Sequence, residues 1–183
     1  KLYSVYRICK RTYRTRKKKM NFSEQLASVV GLLKSKNLQF SLAGGLVASL
    51  YRSEERLTKD LDILILAHGS HEQAAKEILK KLKLEPSLIT KAELEGGPLH
   101  AIKQKSTPVW MVCGTSPDPS VIRVDFLLPP FPWFQRAIER SQHHLVDFGF
   151  GPVPTLTRED LILSKIFAVT NRSNRFKDLD DLQ

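Results

Sequence analysis

Residues 60–67 read Asp60-Leu61-Asp62-Ile63-Leu64-Ile65-Leu66-Ala67, two acids opening an unbroken apolar run of strand length. Such a run, with no polar alternation after its second acid, belongs to a strand buried on both faces of a sheet. Side chains i and i+2 of a strand point the same way, so Asp60 and Asp62 project together, about 7 Å apart along the backbone. Two carboxylates on one face are costly unless something positive stands between them. A divalent ion meets that need, and a site made only of hard oxygen ligands suits magnesium. The tripeptide is also compatible with a plainer arrangement, in which Asp60 caps the preceding turn and Asp62 pairs with a base.

Two further features surround this strand. Upstream, Gly44-Gly45 lies between a short extended segment, 39–43, and an apolar helical run, 46–51. Glycine permits close backbone approach and a helix N-terminus offers unpaired amides, which together make a phosphate site; a tight strand-to-helix turn is the alternative. The pair fits neither the G-x-G-x-x-G nor the G-K-[ST] pattern. Downstream, Asp125 interrupts the strand-like segment 121–128, between Val124 and Phe126. Burying such a carboxylate alone costs several kcal/mol. If that strand lies beside 60–67, then Asp60, Asp62 and Asp125 converge into a cluster able to hold two magnesium ions for in-line displacement at phosphorus.

The rest of the chain supplies a scaffold. Helical spacing runs over 23–36, 72–83, 134–141 and from about 157 onward, where Thr157 caps a first turn carrying Glu159 and Asp160. Further strands are expected at 99–105 and 109–113, beyond the turn at Gly96-Gly97-Pro98, and join 121–128 as an antiparallel run. The expected fold is α/β (α+β), a mixed sheet flanked by helices with a short helical C-terminal part. Its organisation reads as a basic tail at 1–19, a core at 20–150 and a helical segment at 151–183.

Composition bounds the function. The chain has 183 residues, 42% of them hydrophobic, enough for a real core. Its most apolar stretch, 61–67, broken only by Asp62, is far below the roughly 20 residues that span a bilayer, so neither a membrane-spanning nor a wholly disordered protein is expected. The net charge of +10 comes from 29 Lys and Arg against 19 Asp and Glu, but nine of the basic residues precede Met20 with no acid among them. The remainder is therefore close to neutral, and the basicity belongs to the tail. That tail suits a nucleic-acid-binding arm, an organellar presequence-like segment or an extension upstream of a natural start at Met20. The last is favoured, because helix-start chemistry begins at Asn21 and Ser23. Two cysteines, Cys9 and Cys113, exclude a disulfide framework and point to a reducing cytoplasm.

Several other residues invite a role. Lys165 shares one side of an apolar helix with Leu161, Ala168 and Arg172 and needs an anion within reach, either a triphosphate or Asp178 or Asp180 on the following turns. Arg56 and Lys59 read as solvated loop residues. His68, His71, His143 and His144 lack cysteine partners at zinc spacing and read as exposed loop histidines. Ser41 and Ser53 have no histidine and acid arranged for nucleophilic hydrolysis. Trp110, Trp133, Phe131 and Phe134 read as core or turn packing.

The ordered set of strand, Gly44-Gly45, helix, Asp60-Leu61-Asp62 and a single later Asp125 resembles the nucleotidyltransferase superfamily of the DNA polymerase β type. The stretch Glu159-Asp160-Leu161-Ile162-Leu163-Ser164-Lys165-Ile166-Phe167-Ala168, followed by Arg172 and Lys177-Asp178-Leu179-Asp180-Asp181-Leu182, resembles the bacterial abortive-infection toxin branch. The resemblance implies transfer of a nucleoside monophosphate from a magnesium-bound triphosphate to an acceptor, with pyrophosphate leaving. It implies that Gly44, Gly45 and Lys165 bind the nucleotide. Asp60, Asp62 and Asp125 are then the catalytic carboxylates and ligands of two Mg2+ ions. RNA, protein or a small molecule is the expected acceptor, and an antitoxin protein an expected partner. Many relatives carry a hydroxyl residue just after the first glycine, where this chain has Gly45 and Leu46. Relatives also continue in helices where this chain ends at Gln183, so a minimal or truncated acceptor-binding part is expected. Two rival functions are an antibiotic-type small-molecule adenylyltransferase and an inactive nucleic-acid-binding protein working through its tail.

Overall fold

The computed structural model describes residues 20–52, 58–67, 69–90, 109–128 and 132–170. The expected tail at 1–19, the strand at 99–105, and Arg56, His68, Phe131, Arg172, Asp178 and Asp180 lie outside these residues.

Helix α1 spans Phe22–Ser35 and starts where the sequence places its cap: Asn21 and Glu24 form a reciprocal capping box at 2.9 and 2.8 Å. It buries Leu26, Val29, Val30 and Leu33, which recur at helical spacing, together with Phe22 and Gln25. Strand β1 (Gln39–Leu42) leads into α2 (Gly44–Tyr51), which takes both glycines into its first turn rather than starting at Leu46. Strand β2 (Asp60–Leu66) follows, then α3 (His71–Lys81), with Ser70 as its cap. Strands β3 (Glu85–Thr90), β4 (Val109–Thr115) and β5 (Arg123–Leu127) come next, followed by α4 (Pro132–Ser141). A short pair, β6 (Leu145–Asp147) and β7 (Pro152–Pro154), precedes the last described helix, α5 (Arg158–Thr170). Asp147 Oδ1 closes the turn between β6 and β7 by accepting from the Gly149 and Gly151 amides.

Among the described residues five strands form one mixed sheet in the order β1-β2-β5-β4-β3. Strand β2 sits inside it, antiparallel to β1 and parallel to β5, while β5, β4 and β3 run antiparallel in turn. Leu61, Ile63, Leu64 and Ile65 of β2 are buried, as its uninterrupted apolar body requires. Strand β3 was not expected from the sequence. It carries Pro86 and mostly exposed side chains, a composition that suits the outermost described strand, because proline has no amide to give a second neighbour.

The two faces of the sheet do different work. A methyl group built on Gly114 of β4 would collide with Leu79 and approach Leu84, so α3 presses directly on that face. Cys113 alternates with Gly114 and therefore belongs to the opposite face, the one that carries Asp62 and Asp125. Helix α5 packs against α2, and Arg140 of α4 ties it down through a two-pronged ion pair to the buried Asp160, at 2.9 and 2.5 Å. No helix among the described residues is long and apolar enough to cross a membrane.

Candidate active site

The parallel pairing of β2 with β5 decides where the acids go. Its register sets Asp60 beside Arg123 and Asp62 beside Asp125, about 5 Å apart across the sheet, with all four side chains on one face. Asp60, Asp62 and Asp125 thus share one face of the sheet on two neighbouring strands.

Asp62 is the hub. Its backbone carbonyl accepts from the Ala43 amide at 2.9 Å, and its carboxylate accepts from the Gly45 amide in the first turn of α2. Ala43, the N-cap residue of that helix, gives it no side-chain cap, so the Asp62 carboxylate takes the capping role from a neighbouring strand. Gly44 explains why this contact needs glycine: its φ is +62°, and a Cβ there would fall inside the Asp62 carboxylate. Burial first, then the charges of Asp60 and Asp125, push the Asp62 carboxyl up to about 7, against the pull of Lys165 and the Gly45 amide. The surroundings of Asp62 therefore disfavour its charged form, and a cation placed beside it would favour that form.

The other two acids are held by neighbours. Asp60 Oδ1 accepts from Thr58 Oγ1 at 3.1 Å, and the same hydroxyl reaches the Asp60 carbonyl at 3.0 Å. Asp125 is 4% exposed and accepts from Arg123 Nε at 2.7 Å. Burial raises its pKa above the ordinary carboxylate value, and the guanidinium works against that rise. Arg123 Nη2 also lies 3.1 Å from Cys113 Sγ, whose thiol is pushed up to about 12 by burial and then by the Asp125 charge. At that value Cys113 is a packing residue and no nucleophile at neutral pH. Lys165 of α5 is 7% exposed, and its charge acts on Asp62, which brings it into the site from a helix far along the chain.

Sequence reasoning missed Arg123, Cys113 and Thr58. A signal for the first was present: Arg123 precedes Asp125 by two residues, the same-side spacing already used for Asp60 and Asp62. Lys59 is exposed, in keeping with its reading as a solvated loop residue. The histidine reading needs correction for two residues. His71 Nδ1 accepts from the Ala67 amide at 3.3 Å at the start of α3, and His144 Nδ1 lies 2.8 Å from the Thr155 carbonyl, so both make local structural hydrogen bonds. Trp110, Trp133, Phe134 and Phe167 pack on one another with ring centroids 4.4 to 6.5 Å apart.

The chemistry of the donor set suits magnesium: three carboxylates on one face, oxygen only, crowded enough to raise the Asp62 pKa. Among the described residues, however, no three His, Cys, Asp or Glu side chains lie close enough to share an ion. Asp125 accepts from Arg123 and Asp60 from Thr58.

Residues 32–183 match the family described as nucleotidyl transferase AbiEii toxin, of the type IV toxin–antitoxin system. The chain belongs to this family. As a member of the AbiEii family it is a nucleotidyltransferase, and Gly44, Gly45, Asp60, Asp62 and Asp125 all fall inside the matched range. The fold is similar to that of the antibiotic-resistance factor ANT(2'')-Ia, at a TM-score of 0.50 and 12% identity over 87% of this chain and 80% of that one. It is also similar to an antigenic nucleotidyltransferase-like protein from Paracoccidioides brasiliensis, at a TM-score of 0.49 and 14% identity over 86% and 72% of the two chains. A comparison with curated proteins finds no matching sequence.

Proposed function

We propose that this AbiEii-family chain transfers a nucleoside monophosphate from a magnesium-bound nucleoside triphosphate to a hydroxyl of a macromolecular acceptor, RNA or protein. The observation that carries the reading is the register of β2 on β5, which sets Asp62 beside Asp125 with Asp60 on the same face, at the N-terminus of α2. The three carboxylates would hold two Mg2+ ions, which when bound neutralise the triphosphate and lower the pKa of the attacking hydroxyl. Gly44 and Gly45 bring the backbone close to the phosphates and offer the positive end of α2. Lys165 adds a buried cation for the phosphate charge.

In the reaction the acceptor oxygen bonds to the α-phosphorus as the bond to the bridging oxygen of the β-phosphate breaks. Pyrophosphate leaves with that electron pair. Asp125 receives the acceptor proton, a role suited to a buried carboxylate whose pKa is raised. Membership of a toxin–antitoxin family makes a cognate antitoxin the expected partner, and the buried reduced Cys113 is consistent with work in the cytoplasm. The test is incubation with each α-32P-labelled triphosphate and a cell extract. Magnesium-dependent label on RNA or protein, absent with Asp62→Asn, is expected; label confined to small molecules refutes the macromolecular acceptor.

A further inference from the structure

Arg123 and Asp125 stand two residues apart on β5, so both side chains rise from the acid face, and the register sets Arg123 beside Asp60. The guanidinium bridges two partners on that face, Asp125 Oδ1 at 2.7 Å and Cys113 Sγ at 3.1 Å. The pair is unequal: the Asp125 side chain is 6% exposed and that of Arg123 is 42% exposed. Without a cation beside it, Asp125 would be a nearly buried and uncompensated charge, an expensive state for a folded protein. Arg123 cannot yield by losing a proton at any physiological pH. It can yield to a competing cation, and its exposed end gives the guanidinium access to water when it does.

Resting on the reading that these carboxylates bind magnesium, we propose that Arg123 is a tethered cation that competes with the metal for Asp125. It holds the carboxylate in the metal-free enzyme and releases it on metal loading, so Arg123 sets the metal affinity of the site.

The experiment uses the full chain and Mn2+ alone, with binding followed by electron paramagnetic resonance of the free ion. Removing a unit charge a few ångströms from the ion should tighten Mn2+ binding of Arg123→Gln by about tenfold or more, while Arg123→Lys, which keeps the charge, should stay within about threefold of wild type. Equal affinities for wild type and Arg123→Gln, or weaker binding by the variant, overturn the competition. A second measurement needs no folded glutamine variant. The Arg123 Nε–H resonance of the wild type, assigned by its loss in Arg123→Lys, should move and exchange faster with water as Mg2+ is added. An unchanged resonance at saturating Mg2+ overturns the proposal. Failure of the underlying site reading looks different: Mn2+ binding that is absent in the wild type or unaltered by Asp62→Asn.

Discussion

Replacing Asp62 by asparagine should stabilise the metal-free protein at neutral pH, although the residue is central to the proposed activity. Burial and the charges of Asp60 and Asp125 push this carboxyl from 3.8 up to about 7 in the folded state. In the unfolded chain it titrates near the ordinary aspartate value of about 3.9. Between those values the folded protein binds the proton more tightly than the unfolded chain does. The stability linked to Asp62 is therefore fully present below about pH 4 and is lost as pH rises towards 7. Three pH units at about 1.4 kcal/mol each set a ceiling of about 4 kcal/mol, and water screening of a half-buried carboxyl reduces the expected penalty to about 1–3 kcal/mol. Asparagine cannot ionise, and its side-chain oxygen can still accept from the Gly45 amide. Urea denaturation in EDTA, followed by circular dichroism from pH 4.5 to 8.5, measures both proteins. Asp62→Asn should exceed wild type by about 1–3 kcal/mol at pH 8, and the gap should close towards pH 4.5. Taking the difference cancels groups remote from the site that titrate alike in both proteins. A variant less stable than wild type at pH 8, or a gap that does not change with pH, refutes the electrostatic account of the site.

Further outcomes follow from individual contacts. Gly44→Ala forces a side chain into a left-handed backbone and onto the Asp62 carboxylate; thermal melts should show a loss of about 1–3 kcal/mol, with triphosphate binding abolished in the folded fraction. Lys165→Met removes a cation that lowers the Asp62 pKa, so calorimetry should show about tenfold or greater loss of triphosphate affinity. Gly114→Ala drives a methyl into Leu79 on the face away from the acids, and should cost about 1–3 kcal/mol in urea melts while leaving Mn2+ affinity unchanged. Arg140→Gln breaks the ion pair to Asp160, whose carboxylate keeps Thr157 as a partner; a loss of about 1–3 kcal/mol in thermal melts is expected.

How far the sequence could be read depended on how local each signal was. The β2 strand and its acid pair were legible because an unbroken apolar run and an i, i+2 spacing are properties of eight consecutive residues. The α1 start was legible for the same reason, since the cap residue Asn21 stands directly before the helical run. The parallel pairing of β2 with β5 joins residues some sixty positions apart, so from the sequence it could only be a condition; the register of Asp62 on Asp125 supplies it. Strand β3 was hidden because Pro86 and exposed polar side chains at a sheet's margin lack the apolar signature of an interior strand. Arg123 was overlooked because Asp125 read as a lone acid among apolar neighbours, when the base that satisfies it lay one alternation away on the same strand.

The measurement that bears most directly on the central claim is calorimetric titration of each of the four nucleoside triphosphates into the wild type and Asp62→Asn, with magnesium and with EDTA. The account predicts binding of at least one triphosphate by the wild type that requires magnesium and is lost in the variant. Binding that is indifferent to magnesium and to Asp62, or no heat with any triphosphate from folded protein, would contradict it.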